Sequence, residues 1–343
     1  MEIVENTAVR FIVPTELVPH ITDYLERSEV LDTKDNLSEV VVYWGLREMT
    51  HLAQTLKFKD HLPSPIVKEY SWPGMFKPFD HQKTTASFLS LHKRAFCFNE
   101  AGTGKTSSVI WSADYLMNQG LVKRILVICP LSIMYSAWQA DIFKTAMHRS
   151  VAVAYGSAEK RKKIIQGEYE FVIINYDGVG IVMDEIANAG FDLIVVDEAN
   201  AYKSTSTKRW KILAKLLTAN TRLWMLTGTP ASQSPLDAFG LARLDAQHSW
   251  YPDAAGGGRI RLYGLHRRPG RMHEPQRRTH PLGHTVGGVR GCRFEARSHR
   301  LDGTVDGVEF PGSGRIQRQG AIAFAVQRPK ARPCRRCRTR AGV

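Results

Sequence analysis

Between residues 95 and 227 the chain alternates short, almost wholly apolar runs with longer amphipathic stretches. The apolar runs fall at 95–98, 125–129, 151–154, 171–174, 193–196 and 223–226, and helical spacing separates them, for example at 133–143, 159–166 and 208–217. A strand that is apolar at every position is buried on both faces, so the pattern predicts a parallel sheet covered by helices, an α/β fold. Polar clusters follow four of the runs: Pro130-Leu131-Ser132, Asn175-Tyr176-Asp177, Asp197-Glu198-Ala199-Asn200 and Thr227-Gly228-Thr229-Pro230. Ligands of such sheets bind at the carboxyl ends of the strands, where these clusters belong.

Outside this region the pattern changes. Residues 1–70 read as a small α/β accessory domain, with strands at 8–13 and 40–44 and helical spacing at 17–31 and 45–58. Pro63, Pro65, Pro73 and Pro78 mark a linker, and an apolar-periodic helix follows at 85–91. The expected division is therefore 1–70, then a lobe over 71–244, then an irregular basic tail over 245–343.

The stretch Asn99-Glu100-Ala101-Gly102-Thr103-Gly104-Lys105-Thr106 lies between the first apolar run and a helix-like segment that Gly120 can close. Strand, glycine-rich turn and helix make the context of a phosphate-binding loop. Gly102 and Gly104, on either side of Thr103, let the backbone approach an anion closely, and the N–H groups at the helix start can hold it. Lys105 can reach the β- and γ-phosphates of a nucleotide, and the Thr106 hydroxyl can ligate Mg²⁺. Position 99 carries Asn where the full pattern has Gly. Asp197, at the end of an apolar strand, suits a second Mg²⁺ ligand, and Glu198 can orient and deprotonate a water. Gln82 offers one donor and one acceptor, matching the N6/N7 edge of adenine. Thr227, Gly228 and Thr229 could report the γ-phosphate state across a cleft.

Taken together, residues 76–244 resemble the first RecA-like lobe of a superfamily-2 helicase, most closely the Swi/Snf-type DNA translocases and their phage and bacterial relatives. Gln82 matches the adenine-recognition motif, 99–106 motif I, 125–138 motif Ia, 172–176 motif Ib, 197–200 the DEAD/DEAH box and 226–230 motif III. The helicase form of motif I does not require Gly at its first position, which accommodates Asn99. The resemblance implies ATP and Mg²⁺ as cofactors, hydrolysis coupled to translocation on DNA, and a duplex partner gripped through its phosphate backbone. It also implies that Ser132, Asn175 and Tyr176 lie near the nucleic-acid track. Asn200 stands where His is usual and Gln233 where Asn is common, changes that spare the metal ligand and the water-activating carboxylate. The family needs a second RecA-like lobe, whose arginines stabilise the transferring phosphoryl. The rival readings are a nucleotide-binding regulatory or scaffold module without turnover and, more distantly, a P-loop kinase.

Charge alters this picture less than its total suggests. The net charge is +14, but residues 245–343 carry 19 Arg and one Lys against seven acids, leaving 1–244 near neutrality. The same segment holds 15 of the 27 glycines and has no alternating β/α pattern. Three readings compete for it: a disordered phosphate-gripping tail, a zinc site from Cys334 and Cys337, and, preferred, a loss of reading frame near Leu244–Asp245 that removes the second lobe. Cys97 and Cys129 fall in apolar runs and read as reduced core thiols. No apolar run is long enough to span a membrane, and the acidic start lacks a secretory signal, so a bacterial or phage-infected host cytoplasm is expected.

Overall fold

The computed structural model describes residues 1–56, 61–229, 240–244 and 324–325. Six parallel strands form the principal sheet: Arg94–Cys97 (β5), Ile125–Cys129 (β6), Val151–Val153 (β7), Phe171–Asn175 (β8), Leu193–Val196 (β9) and Arg222–Leu226 (β10). Their spatial order is β5-β10-β9-β6-β8-β7, and a two-residue strand, Phe324–Ala325 (β11), pairs in parallel beyond β5. This is the expected α/β architecture, with every apolar run becoming a strand. The remainder of the 245–343 segment, with its tail, zinc and frame readings, lies outside the described residues, as does Gln233.

Burial on both faces explains why these strands lack a polar alternation. Along β6, Leu126 and Ile128 join one apolar core with Val172, Ile174, Ile194 and Val196. Ile125, Val127 and Cys129 join the other, with Phe171, Ile173, Leu193 and Val195. The helices Asp80–Leu91 (α4), Lys105–Asn118 (α5) and Ala140–Thr145 (α6) cover the second core; Ala158–Gln166 (α7), Tyr176–Val179 (α8), Met183–Asn188 (α9) and Lys208–Leu216 (α10) lie on the first. Burial pushes the Cys97 thiol up to about 11 and that of Cys129 up to about 12, so both are neutral thiols of the core.

The N-terminal region departs from its expected pattern. Its strands Glu2–Val4 (β1), Ala8–Pro14 (β2), Ser28–Lys34 (β3) and Leu37–Tyr43 (β4) form an antiparallel sheet in the order β1-β2-β4-β3. The helix expected over 17–31 shrinks to a 3-10 turn at Thr15–Leu17 and one turn of α-helix at Pro19–Thr22 (α1). Residues 28–34 are strand because Asp35 and Asn36 both adopt positive φ (48° and 61°), the conformation of a two-residue hairpin turn. Leu46–Thr55 (α2) and Ile66–Glu69 (α3) follow. The Trp44 indole N–H donates to Pro63 O (2.7 Å), and Leu91 of α4 packs into the core of this sheet, so the sheet is anchored directly to the lobe.

A second departure lies after β6. The uniform helix expected at 133–143 is instead a 3-10 turn at Leu131–Ile133, a π-helical turn at Met134–Gln139, and then α6. The wider turn carries Trp138, fully buried with its indole N–H donating to Asp197 Oδ2 (2.9 Å). Such π-turns inside helical segments often mark functional positions.

Candidate nucleotide-binding site

The glycine-rich loop connects β5 to α5 as expected. Gly102 (φ 76°) and Gly104 (φ 75°) both occupy the left-handed region. Gly104 is constrained twice over, because a Cβ there would sit 2.0 Å from Gln82 Nε2. As the N-cap of α5 it supplies no side-chain cap, and no acid occupies the first turn. The helix therefore presents its unsatisfied N–H groups without a competing anion, which is what phosphate oxygens require. Gly104→Ala is expected to cost about 1–2 kcal/mol in backbone strain alone and to displace Gln82. Denaturant unfolding and nucleotide titration of the variant check both effects.

Lys105 folds over the loop, its Nζ donating to Asn99 O (2.8 Å) and Glu100 O (3.1 Å). Thr106, half-buried, follows at the next position. Thr103 is held by its hydroxyl donating to Glu100 O (2.8 Å). Its carbonyl accepts from His81 Nε2 (2.9 Å) and, at the longer distance of 3.4 Å, from Gln82 Nε2. Helix α4 begins at Asp80, five residues before the expected start, because Gln82 Oε1 accepts the Phe79 N–H (2.9 Å) and caps the first turn. Gln82 thus stands directly beside the phosphate loop.

Across the sheet, β9 delivers Asp197 and Glu198. Asp197 is 8% exposed and accepts from the Trp138 indole and, at Oδ1, from the Glu198 N–H (2.9 Å). Burial pushes its carboxyl above the usual range, while these two donors and the Lys105 charge pull it back. Glu198 is exposed and left-handed (φ 48°, ψ 56°), a conformation uncommon outside Gly, Asn and Asp. Backbone outliers of this kind concentrate at functional sites.

Thr227, Gly228 and Thr229 follow β10, which lies between the loop strand and the acidic strand. Thr227 N donates to Cys97 O (3.1 Å), and a Cβ on Gly228 would lie 3.7 Å from both Ala101 N and Asn99 O. Asn200, in the usual His position, donates through Nδ2 to Thr229 Oγ1 (2.7 Å). The last residue of the acidic box is thereby tied to the end of β10.

The three residues expected along a nucleic-acid track lie at the ends of the adjacent strands β6 and β8 but differ in exposure. Ser132 is exposed in the turn after β6. Asn175 is half-buried, its Oδ1 accepting from Arg161 Nη1 (3.0 Å), and Arg161 is itself held by Ala154 O (2.7 Å). The Tyr176 hydroxyl turns inward, donating to Asp197 O (2.6 Å), with Glu198 O at 3.2 Å. Its ring packs edge-on against Tyr202 and beneath Arg209, which also pairs with Asp177. Trp138, Arg161 and His81 were not singled out from the sequence. An aromatic, a buried Arg and a helix-start His carry no motif of their own; only their contacts reveal them.

The sequence profile of the SNF2-related domain matches residues 81–247, from the start of α4 through the site just described. Residues 81–247 are an SNF2-related domain. Relatives include ATP-dependent helicase FUN30 of Saccharomyces cerevisiae, 28% identical over 202 residues covering 54% of this chain and 17% of that protein. Chromatin-remodeling ATPase INO80 of Candida albicans is 31% identical over 57% of this chain and 15% of its own length. A bacterial relative, the uncharacterized ATP-dependent helicase YqhH of Bacillus subtilis, is 25% identical over 49% of this chain and 29% of its own. The chain thus spans less than a third of each of these relatives. A solved structure, the Sulfolobus solfataricus SWI2/SNF2 ATPase core in complex with dsDNA, aligns over 50% of this chain and 36% of its own (24% identity, TM-score 0.44). The Swi/Snf-type resemblance read from the motifs is borne out for the SNF2-related domain.

Proposed function

We propose that the SNF2-related domain binds ATP with Mg²⁺ and hydrolyses it, driving movement on duplex DNA gripped through its phosphate backbone. The observation that carries this reading is the convergence at adjoining strand ends: the uncapped α5 N-terminus with Lys105 follows β5, Gly228 follows β10 against the loop backbone, and Asp197, which feels the Lys105 charge, follows β9. Gln82 reads the adenine edge. The N–H groups of the 102–106 turn and Lys105 hold the phosphates.

The donor set suits a hard divalent cation, with the Thr106 hydroxyl and the Asp197 carboxylate as ligands. Once bound, Mg²⁺ would supply charge neutralisation on the β- and γ-phosphates. Glu198, exposed at the strand end, orients the attacking water and accepts its proton. Trp138 and the Glu198 N–H aim the Asp197 carboxylate and offset part of the cost of its burial. Thr227, Gly228 and Thr229 relay the state of the phosphates from the strand end, and Ser132, Asn175 and Tyr176 flank the nucleic-acid side.

This lobe supplies one wall of the cleft, with residues 1–70 as an accessory domain packed behind it. The facing wall is a second RecA-like lobe bearing arginines, and among the described residues there is none. Because the sequence of residues 245–343 has no alternating β/α pattern, the 343-residue chain is expected to bind ATP with low turnover and little stimulation by DNA. Lys105→Ala is expected to weaken ATP binding at least about ten-fold, since it removes a charge-assisted contact to phosphate. Titration calorimetry with Mg·ATP tests this, and an affinity equal to that of the wild-type chain would sink the assignment. Rapid DNA-dependent hydrolysis by the intact chain would overturn the incomplete-cleft part of the reading.

A further inference from the structure

Helix α4 and the phosphate loop come from different parts of the chain, yet a buried relay joins them. Asn99 is 1% exposed, and its Nδ2 donates to Thr85 Oγ1 (2.9 Å). Thr85 is fully buried, and its hydroxyl donates in turn to His81 O (2.8 Å), one helical turn back. His81 closes the circuit through its ring, whose Nε2 donates to Thr103 O (2.9 Å). The loop is thus held at both ends, at Asn99 before the glycines and at Thr103 between them, by the helix that carries Gln82.

The direction of the relay accounts for the residue types. The Thr85 proton is committed to His81 O, so Thr85 Oγ1 can only accept, and the partner at position 99 must be a donor. An amide meets that need. A carboxylate would bring two acceptors to a donor already engaged, and Gly would bring nothing. Asn99 Oδ1 has no hydrogen-bond partner among the described residues, so the amide acts here through its donor side. Gln82 has little freedom of its own, since its Oε1 caps α4 and its Nε2 lies against Thr103 O and over Gly104. Its placement over the loop therefore depends on where α4 sits relative to that loop.

We infer that Asn99 and Thr85 are positioning residues that lock the Gln82 helix to the phosphate loop, so that recognition of the base and binding of the phosphates act as one event. The inference rests on the ATP-binding reading above. Breaking the relay leaves the loop able to hold phosphates but lets the base-reading helix drift. Discrimination between bases falls while affinity for the phosphate chain is kept.

Titration of the full-length chain with Mg-bound ATP, GTP and inorganic triphosphate tests this. Thr85→Val keeps the shape and removes both hydrogen bonds. Asn99→Gly cuts the link from the other side without stranding a buried donor, and Thr85→Ser restores the hydroxyl. In Thr85→Val and Asn99→Gly the preference for ATP over GTP should fall about five-fold, with triphosphate affinity within about two-fold of wild type; Thr85→Ser should keep the wild-type preference. An unchanged preference in both variants overturns the inference, as does equal weakening of all three ligands, the mark of a general structural role. A wild-type chain that binds ATP and GTP equally also overturns it, leaving the phosphate-binding reading intact. A wild-type chain that binds none of the three overturns that reading as well. Thermal unfolding of each variant confirms that it is folded at the titration temperature, and Asn99→Gly carries the test where Thr85→Val fails to fold.

Discussion

Glu198→Gln is expected to lower the rate of ATP hydrolysis by about 10²–10⁴-fold, the range that removal of a general base produces. Nucleotide affinity should stay within about two-fold, because the amide keeps the size of the side chain and abolishes only its capacity to take a proton. Folding should be unaffected: Glu198 is exposed, and its left-handed backbone depends on the strand end and the Tyr176 hydroxyl, not on its carboxylate. Single-turnover hydrolysis, with enzyme in excess over labelled ATP, measures the effect even where steady-state turnover is low. A variant that hydrolyses ATP at the wild-type rate would remove Glu198 from the chemistry. If the chain is a regulatory module that never needed turnover, the substitution leaves its function untouched while binding persists.

The second large effect is on stability. Asp114, in α5 and fully buried, accepts from the Tyr70 hydroxyl, from His148 Nε2 (2.9 Å) and from Arg149 Nε (2.5 Å). Arg149 is held further by Glu170 (2.7 Å) and Asn118 (2.5 Å). Burial, together with the Asp114 carboxylate, pushes the Tyr70 hydroxyl far above its ordinary range, so it remains a donor. Asp114→Ala leaves an arginine, a tyrosine and a histidine facing a gap. Losing one partner of a buried pair typically costs about 3–5 kcal/mol, and a value near the lower end is expected because the His148 side chain remains 46% exposed. Chemical denaturation measures it. A loss below about 1 kcal/mol, the worth of an exposed pair, would show that the cluster is solvated in solution. The network joins the segment before α4, the phosphate-loop helix and the turn after α6, so the same substitution should also weaken nucleotide binding.

Much of the lobe was legible because burial on both faces writes itself directly into composition. All six strand-like runs formed strands, since a segment such as Leu-Ile-Val-Val has no face to offer water. The glycine-rich turn between β5 and α5 was equally plain, because the positive φ at Gly102 and Gly104 leaves glycine as the natural residue there. Two local departures from the expected pattern share an origin: hydrophobic periodicity alone does not register turn chemistry or side-chain anchoring. The apolar spacing over 17–31 suggested a helix, but the Asp35-Asn36 hairpin pairs 28–34 with β4 and overrides it. The regular spacing over 133–143 gave no sign of the π-turn that accompanies the link from Trp138 to Asp197. Contacts between distant side chains, such as Asn99 with Thr85 or Tyr176 with the acidic strand end, leave no trace in spacing. They are properties of the packed sheet.

The placement of β10 has a consequence for the dimensions of the cleft. Met225 stands opposite Phe96 on one side and Val196 on the other, so the loop strand and the acidic strand flank β10 in a common register. Two strand spacings, roughly 9–10 Å, therefore separate the strand end that carries the glycine-rich loop from the end that presents the carboxylates. Main-chain hydrogen bonds fix that gauge, so no side-chain substitution in the cleft can narrow or widen it. Substitutions act only on what each strand end displays, and the span that a ligand bridging the two ends would have to cover is set by the sheet.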